Sequence, residues 1–166
     1  FWARRNFKLE AGRSREVLES LTVGDAMVTD HEIVYENETI SEVENILRKS
    51  LYPYLAVVTR KGRYEGLLAA DLVEQSRKRD SRIRSEVLEA KDLLYSKRVA
   101  VQPVKVDDDL TVTQGLFEQS PVVAVINSDE KVVGLLFAHN VRIAYDQEVA
   151  RRALFFRARE ASDKPV

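Results

Sequence analysis

The sequence predicts an α+β fold: two β-α-β-β-α units, pseudo-twofold related and packed through their sheets, followed by a long C-terminal helix. Three observations predict it. The stretch 53–71, PYLAVVTRKGRYEGLLAAD, returns as 121–140, PVVAVINSDEKVVGLLFAHN, with the glycine of Gly-Leu-Leu thirteen residues after the proline both times. Each copy follows a short β-prone run and a helical stretch, so the order of elements repeats along with the motif. The copies lie 68 residues apart in a chain of 166. That spacing leaves room only for half-sized units, whose marginal cores are best stabilised by burying one sheet against the other.

Taken in order, residues 1–20 form a lead-in, basic and aromatic at first and then a short helix in REVLES. The first unit spans 21–76. Val23, Ala26 and Met27 fall at helical spacing, with Thr22 or Asp25 able to cap, and Met27 is read as core. Ile33-Val34-Tyr35 is β-prone. In ISEVENILRKS, Ile40, Val43, Ile46 and Leu47 share one helical face. Tyr54 to Val58 and Tyr64 to Ala69 make a hairpin around Arg60-Lys61-Gly62-Arg63, and Asp71 is placed to cap the helix LVEQSRK. A basic connector, 77–88, contains RKRDSRIR and is too charged to enter a core.

The second unit spans 89–147. Ala90 to Leu94 answers Val23 to Met27, a strand runs from Val99 to Val106 across Pro103, and Thr111 answers Thr39. From Thr111 to Pro121 is ten residues against fourteen from Thr39 to Pro53, so its first helix should be about one turn shorter. Asn140 opens a long helix that continues through an extension, 148–166, with more apolar residues than one face needs.

Composition narrows the function. Hydrophobic residues make up 45% and charged residues 32%, with net charge −1, which describes a folded domain without the basic excess that nucleic-acid binding uses. No nucleic-acid partner is expected. The absence of cysteine excludes disulfides and thiolate chemistry. No apolar run reaches the roughly 18 residues that cross a bilayer, and the start FWARRNFKLEAG lacks a signal-peptide core. Because it opens on Phe1-Trp2, the chain is expected to be cut from a longer polypeptide. His31 and His139 stand apart from ligand-spaced carboxylates, so neither a metal site nor an acid–base dyad is expected. The expectation is a protein that is not an enzyme.

The residues Val23, Asp25, Met27, Pro53, Gly66, Leu67, Leu68 and Asp71, then Asp92, Pro121, Gly134, Leu135, Leu136 and Asn140, give a pattern that resembles the CBS domain. The resemblance covers about residues 21–147. It implies a paired (Bateman) module that assembles into a homodimer, requires no cofactor and takes ATP, ADP or AMP in clefts between the units. The lead-in ARRNFKLEAGRSREVLESLTVGDAM further resembles the segment by which CLC chloride channels and transporters enter their cytoplasmic CBS pair. That implies a transmembrane chloride-transport domain in the same polypeptide and a place on the cytoplasmic side of the membrane. The alternative is a free-standing adenylate sensor or the regulatory insert of a soluble enzyme.

The family's ribose signature is glycine, two apolar residues, Ser or Thr, two variable residues, then Asp, at a helix N-terminus that favours anions. Asp71 follows Gly66 by five positions instead of six, and Ala69 takes the hydroxyl position. Asn140 keeps the spacing but has lost the carboxylate, and Phe137 replaces the hydroxyl. Asp71 and Asn140 are each read both as helix cap and as ribose ligand. Tyr54, with Tyr52 beside it, Val122, Phe137 and His139 complete the implied cleft, and Lys131 and Arg142 are within reach of phosphates or simply solvated.

Overall fold

The computed structural model describes residues 14–79, 87–95 and 101–163. The aromatic start of the lead-in, most of the basic connector and the beginning of the second unit's first strand lie outside the described residues. The elements are α1 (14–19), α2 (Val23–Ala26), β1 (Ile33–Tyr35), α3 (Ile40–Lys49), β2 (Tyr54–Val58), β3 (Tyr64–Ala69), α4 (Ala70–Arg79), α5 (Ala90–Tyr95), β4 (Val104–Lys105), β5 (Val122–Ile126), β6 (Val132–Phe137) and α6 (Ala138–Asp163).

Two three-stranded sheets, β1-β2-β3 and β4-β5-β6, share one topology: the first strand runs parallel to the middle one and the third antiparallel. Both carry a bulge at the same place, between Val57 and Val58 and between Val125 and Ile126, 68 residues apart. Alternation along the strands sorts the faces. Val34, Leu55, Val57 and Leu68 point to one side, where Ile40 and Val43 of α3, Val73 of α4 and Ala90 and Leu93 of α5 bury them. On the other side the sheets meet: Val122, Ala124, Leu135 and Phe137 pack against Tyr54, Tyr64 and Leu67. At the hairpin tips Arg63 bridges Lys131, its own repeat equivalent, so the pseudo-twofold axis passes between them. The Arg63 guanidinium also pairs with Glu130.

The short helices cross over between units. The Val23 and Gly24 N–H groups donate to Asp108 and Val106, and Val23 is fully buried beside Val104, Leu110 and Val123 of the second unit. Reciprocally, the Ala90 and Lys91 N–H groups donate to Glu38 and Glu36, and α5 enters the first unit's core. Two glycines make the seats. A Cβ on Gly134 would lie 2.5 Å from the Met27 sulfur and 2.8 Å from the Val28 carbonyl, and one on Gly66 would lie 2.9 Å from Leu94. Thus the Gly of each Gly-Leu-Leu is the floor under the other unit's helix, and Met27 is core as expected.

Two details of the second unit differ from the sequence reading. Where α3 has ten residues with a complete capping box at Thr39 and Glu42, the second unit has two 3-10 turns, Leu110–Thr113 and Leu116–Glu118, separated by Gly115 at φ 76. Asp109 caps the first turn, so Asp109, not Thr111, answers Thr39. The β-branched run Thr111-Val112-Thr113 and the left-handed glycine explain why no α-helix forms. Of the strand expected over Val99 to Val106, the described part from Val101 is β at Val104–Lys105, after Pro103, which has no N–H to give a ladder.

Candidate functional site

The implied cleft lies where each third strand hands over to its helix, beside the partner sheet. In both units that junction is immediate: β3 ends at Ala69 and α4 starts at Ala70, while β6 ends at Phe137 and α6 starts at Ala138. The residue missing from the first copy is therefore not absorbed in a turn. Asp71 is equivalent to His139, and Leu72 is the equivalent of Asn140. One residue along a helix is a rotation of about 100°, so Asp71 does not occupy the place of the ribose carboxylate.

Asp71 is also not a cap. It sits inside the first turn of α4 and is exposed. None of the hydrogen bonds or ion pairs among the described residues involves it. What it supplies is a negative charge near the positive end of the helix dipole. Asn140 is the one that caps: its Oδ1 accepts the Phe137 N–H at 2.9 Å, closing the first turn of α6 from the third helical position. One of the two lone pairs of Oδ1 is thereby committed, and the neutral amide lacks the second oxygen with which a carboxylate would accept both ribose hydroxyls.

The space beside Asn140 is filled with rings. Phe137 is 8% exposed. Its ring lies 5.2 Å from Tyr52, 6.0 Å edge-on from Tyr54 and 5.4 Å from His139, which stacks on it. These are the distances of favourable aromatic pairs. Tyr52 is held from behind, its hydroxyl donating to Asp30 at 2.7 Å, and that bond raises its pKa. Burial raises the pKa of Tyr64 in the same sheet interface. In the loop carrying Asp30, the His31 Nδ1 is buried without a hydrogen-bond partner among the described residues, and desolvation lowers its pKa.

The structure thus brings Tyr52, Tyr54, Phe137, His139 and Asn140 together, but as a packed cluster. Val122 pairs with Phe137 across β5 and β6 and is buried. Lys131 and Arg142 are both exposed. Asp71 belongs to the pseudo-symmetric junction, where Ala69 stands in place of Phe137. Among the described residues, no three carboxylate or histidine side chains gather as a metal site.

A second set of contacts escaped the sequence reading. The lead-in helix α1 is part of the second unit: Val17 is 2% exposed, and Leu18 and Leu21 pack against the core around Val104 and Leu136. Its two ends are fastened to α6, Ser14 Oγ to the Tyr145 hydroxyl at 3.1 Å and Ser20 Oγ to the Arg152 guanidinium at 2.9 Å. Arg152 in turn donates to Glu148 at 3.0 Å, and Arg151 donates to the same carboxylate at 2.6 and 2.8 Å. These bonds hold the buried Glu148 at a pKa of about 2. The apolar triplet Val17, Leu18 and Leu21 was the signal for this docking.

Residues 23–72 match the family model of the CBS domain. No curated protein sequence matches the chain. Among solved structures, a CBS domain-containing protein of unknown function from Bacillus anthracis str. Ames Ancestor is 16% identical at a TM-score of 0.67, covering 80% of this chain and 98% of that one. CbpB in complex with c-di-AMP is 13% identical at 0.67, covering 86% and 95%. The cytosolic domain of the Mg2+ channel MgtE in complex with ATP is 22% identical at 0.60, covering 75% and 48%. At these identities the likeness is one of fold. The part that matches the CBS domain lies in the first unit, and the second unit repeats the same strand topology. No helix among the described residues is long and apolar enough to cross a membrane.

Proposed function

We propose that this chain is the regulatory, non-enzymatic CBS module of a CLC-type chloride channel or transporter, working on the cytoplasmic side as a dimerisation and gating element. The observation that carries the reading is the docking of α1. The segment arriving from the N-terminal side ends in a helix whose apolar face is buried in the second unit and whose two ends are tied to α6. A displacement of α1 is therefore delivered directly to the second unit. Gating then follows from population shift: whatever favours one arrangement of the pair biases the attached domain by its differential affinity alone. The MgtE structure supplies the precedent of a fold like this one in the cytosolic domain of a channel.

Adenine nucleotides play a weak part or none. CbpB and MgtE were solved with c-di-AMP and with ATP, but here Phe137 packs into the cleft and Asn140 offers a neutral amide, already bonded to the backbone, in place of a carboxylate. The homodimer contact is assigned to the groove between α3 and α4. Its floor is Leu47, Ala70 and Val73, and its rim carries both signs in Glu44, Arg48, Glu74 and Arg77. A patch with both signs can satisfy a second copy of itself across a twofold axis.

The residues encoded before Phe1 provide the first test: a block of long apolar helices is expected, and its absence ends the CLC reading. If the block is present, chloride flux through the whole protein should change when α1 is undocked by Val17→Asp. Unchanged flux would remove the gating role. Light scattering should give a dimer that Leu47→Asp dissociates.

A further inference from the structure

The helix α6 outruns the body it packs on. Over its first three turns the stripe Val141, Ala144 and Glu148 faces the second unit's core. The same stripe, stepping by three or four residues, continues through Arg152, Phe155 and Arg159. Beyond Arg152 no described residue lies under it. Phe155 is 68% exposed and Phe156 63%. With Arg151, Arg152 and Arg159 they line a groove of about 300 Å³, and Arg152 also donates to Ser20 Oγ. Protein surfaces rarely leave large apolar side chains and guanidinium groups together without a use, and aromatic and arginine side chains are the residues that dominate binding energy at interfaces.

Charge selects the occupant. No carboxylate is among the described residues that line the groove, and Glu148, one turn back along α6, is buried and already receives hydrogen bonds from Arg151 and Arg152. The Arg159 guanidinium has no partner among the described residues. A second copy applied through the same face would set arginine against arginine, at the cost of unpaired like charges. A flat anionic membrane would meet the exposed Leu154 but not Arg152, which is partly buried and bonded to Ser20 at the end of α1. The shape and sign suit a chain-sized acidic ligand.

We propose that this groove docks an acidic protein segment, with carboxylates on Arg152 and Arg159 and a large apolar side chain between Phe155 and Phe156. The proposal stands on α6 alone, independent of any membrane partner.

The test uses the 166-residue chain and a fluorescein-labelled peptide of alternating glutamate and leucine, with the glutamine–leucine peptide as control. Anisotropy should show binding of the glutamate peptide at least about tenfold tighter than the control, weakening with salt as exposed charge pairs are screened. Arg159→Gln, which breaks no side-chain contact among the described residues, should cost about fivefold to tenfold, and Phe155→Ser with Phe156→Ser should cost at least as much. Equal binding of the two peptides, no binding at millimolar peptide, or affinity untouched by both variants overturns the proposal. So does light scattering in which these variants dissociate a dimer, or pelleting with phosphatidylglycerol vesicles that Phe155→Ser abolishes while peptide binding is absent.

Discussion

The two junctions between third strand and helix have the same backbone and opposite fillings. In the first unit Ala69, Asp71 and Leu72 stand where the second has Phe137, His139 and Asn140. The first junction keeps a carboxylate with nothing to hold it in register. The second keeps the register, but it spends its polar group on the helix and its space on a ring. A repeat can therefore preserve a fold through both copies while the same junction changes by a different route in each: one by a rotation, the other by occupation.

The largest effect that separates the junctions is the loss of the ring. Phe137→Ala should cost about 3 to 4 kcal/mol in urea unfolding, because a nearly buried aromatic leaves both a transfer loss and a cavity bounded by Tyr52, Tyr54 and His139. The comparison sharpens if this variant then binds adenosine in calorimetry and the parent does not. It breaks if the parent binds adenosine equally well, for then Phe137 does not occupy the cleft.

Next come the two glycines. Gly134→Ala forces the Met27 sulfur and the Val28 carbonyl apart from a new methyl group, and Val28 is bonded in both directions to Leu135. Backbone yields poorly, so a loss of about 2 to 3 kcal/mol is expected. Gly66→Ala meets only the tip of Leu94, which can turn away, and should cost about 1 kcal/mol or less. Equal losses in denaturant midpoints would mean that the two seats are packed alike.

Much of this architecture was legible in the residues. The 68-residue repeat fixes equal strands, equal bulges and equal glycines, since a period-two element cannot slip without turning its side chains over. The exchange of α2 and α5 between units was not legible, because Val23 and Ala90 show that they are buried without showing in whose core. The second unit's first helix failed for a local reason, Gly115 at a left-handed φ behind three β-branched residues. At the candidate site the substitutions at Ala69 and Phe137 were visible, and so was the doubt about Asp71. The direction in which Phe137 points, and the Phe137 N–H that claims Asn140, needed coordinates. The docking of α1 was written in Val17, Leu18 and Leu21, but a short helix at the edge of a polar stretch carries too few residues for its apolar face to stand out.

A pH-dependent effect on the second third-strand helix follows from Glu148. Its carboxyl ordinarily titrates at 4.5 and is held at about 2 in the fold by Arg151 and Arg152. The unfolded chain takes the proton first. The clamp's contribution is thus complete above about pH 4.5 and is lost as pH falls toward 2. Urea midpoints of the parent should fall across that window, and those of Glu148→Gln should fall less. Parallel curves would show that the clamp does not differ between folded and unfolded states.

The smallest effects test the polar groups of the junctions themselves. Asn140→Ala removes the acceptor of the Phe137 N–H at the start of a 26-residue helix, a capping loss of about 1 kcal/mol. Asp71→Ala removes an exposed carboxylate that bonds to nothing among the described residues. Only its interaction with the dipole of α4 is lost, about 0.5 kcal/mol at low ionic strength and less in salt. The two substitutions should therefore differ in salt dependence as well as size, since a backbone hydrogen bond survives salt that screens a lone charge. Should Asp71→Ala cost as much as Asn140→Ala, and as much in high salt as in low, the carboxylate would be holding structure. The two junctions would then differ less than their geometry indicates.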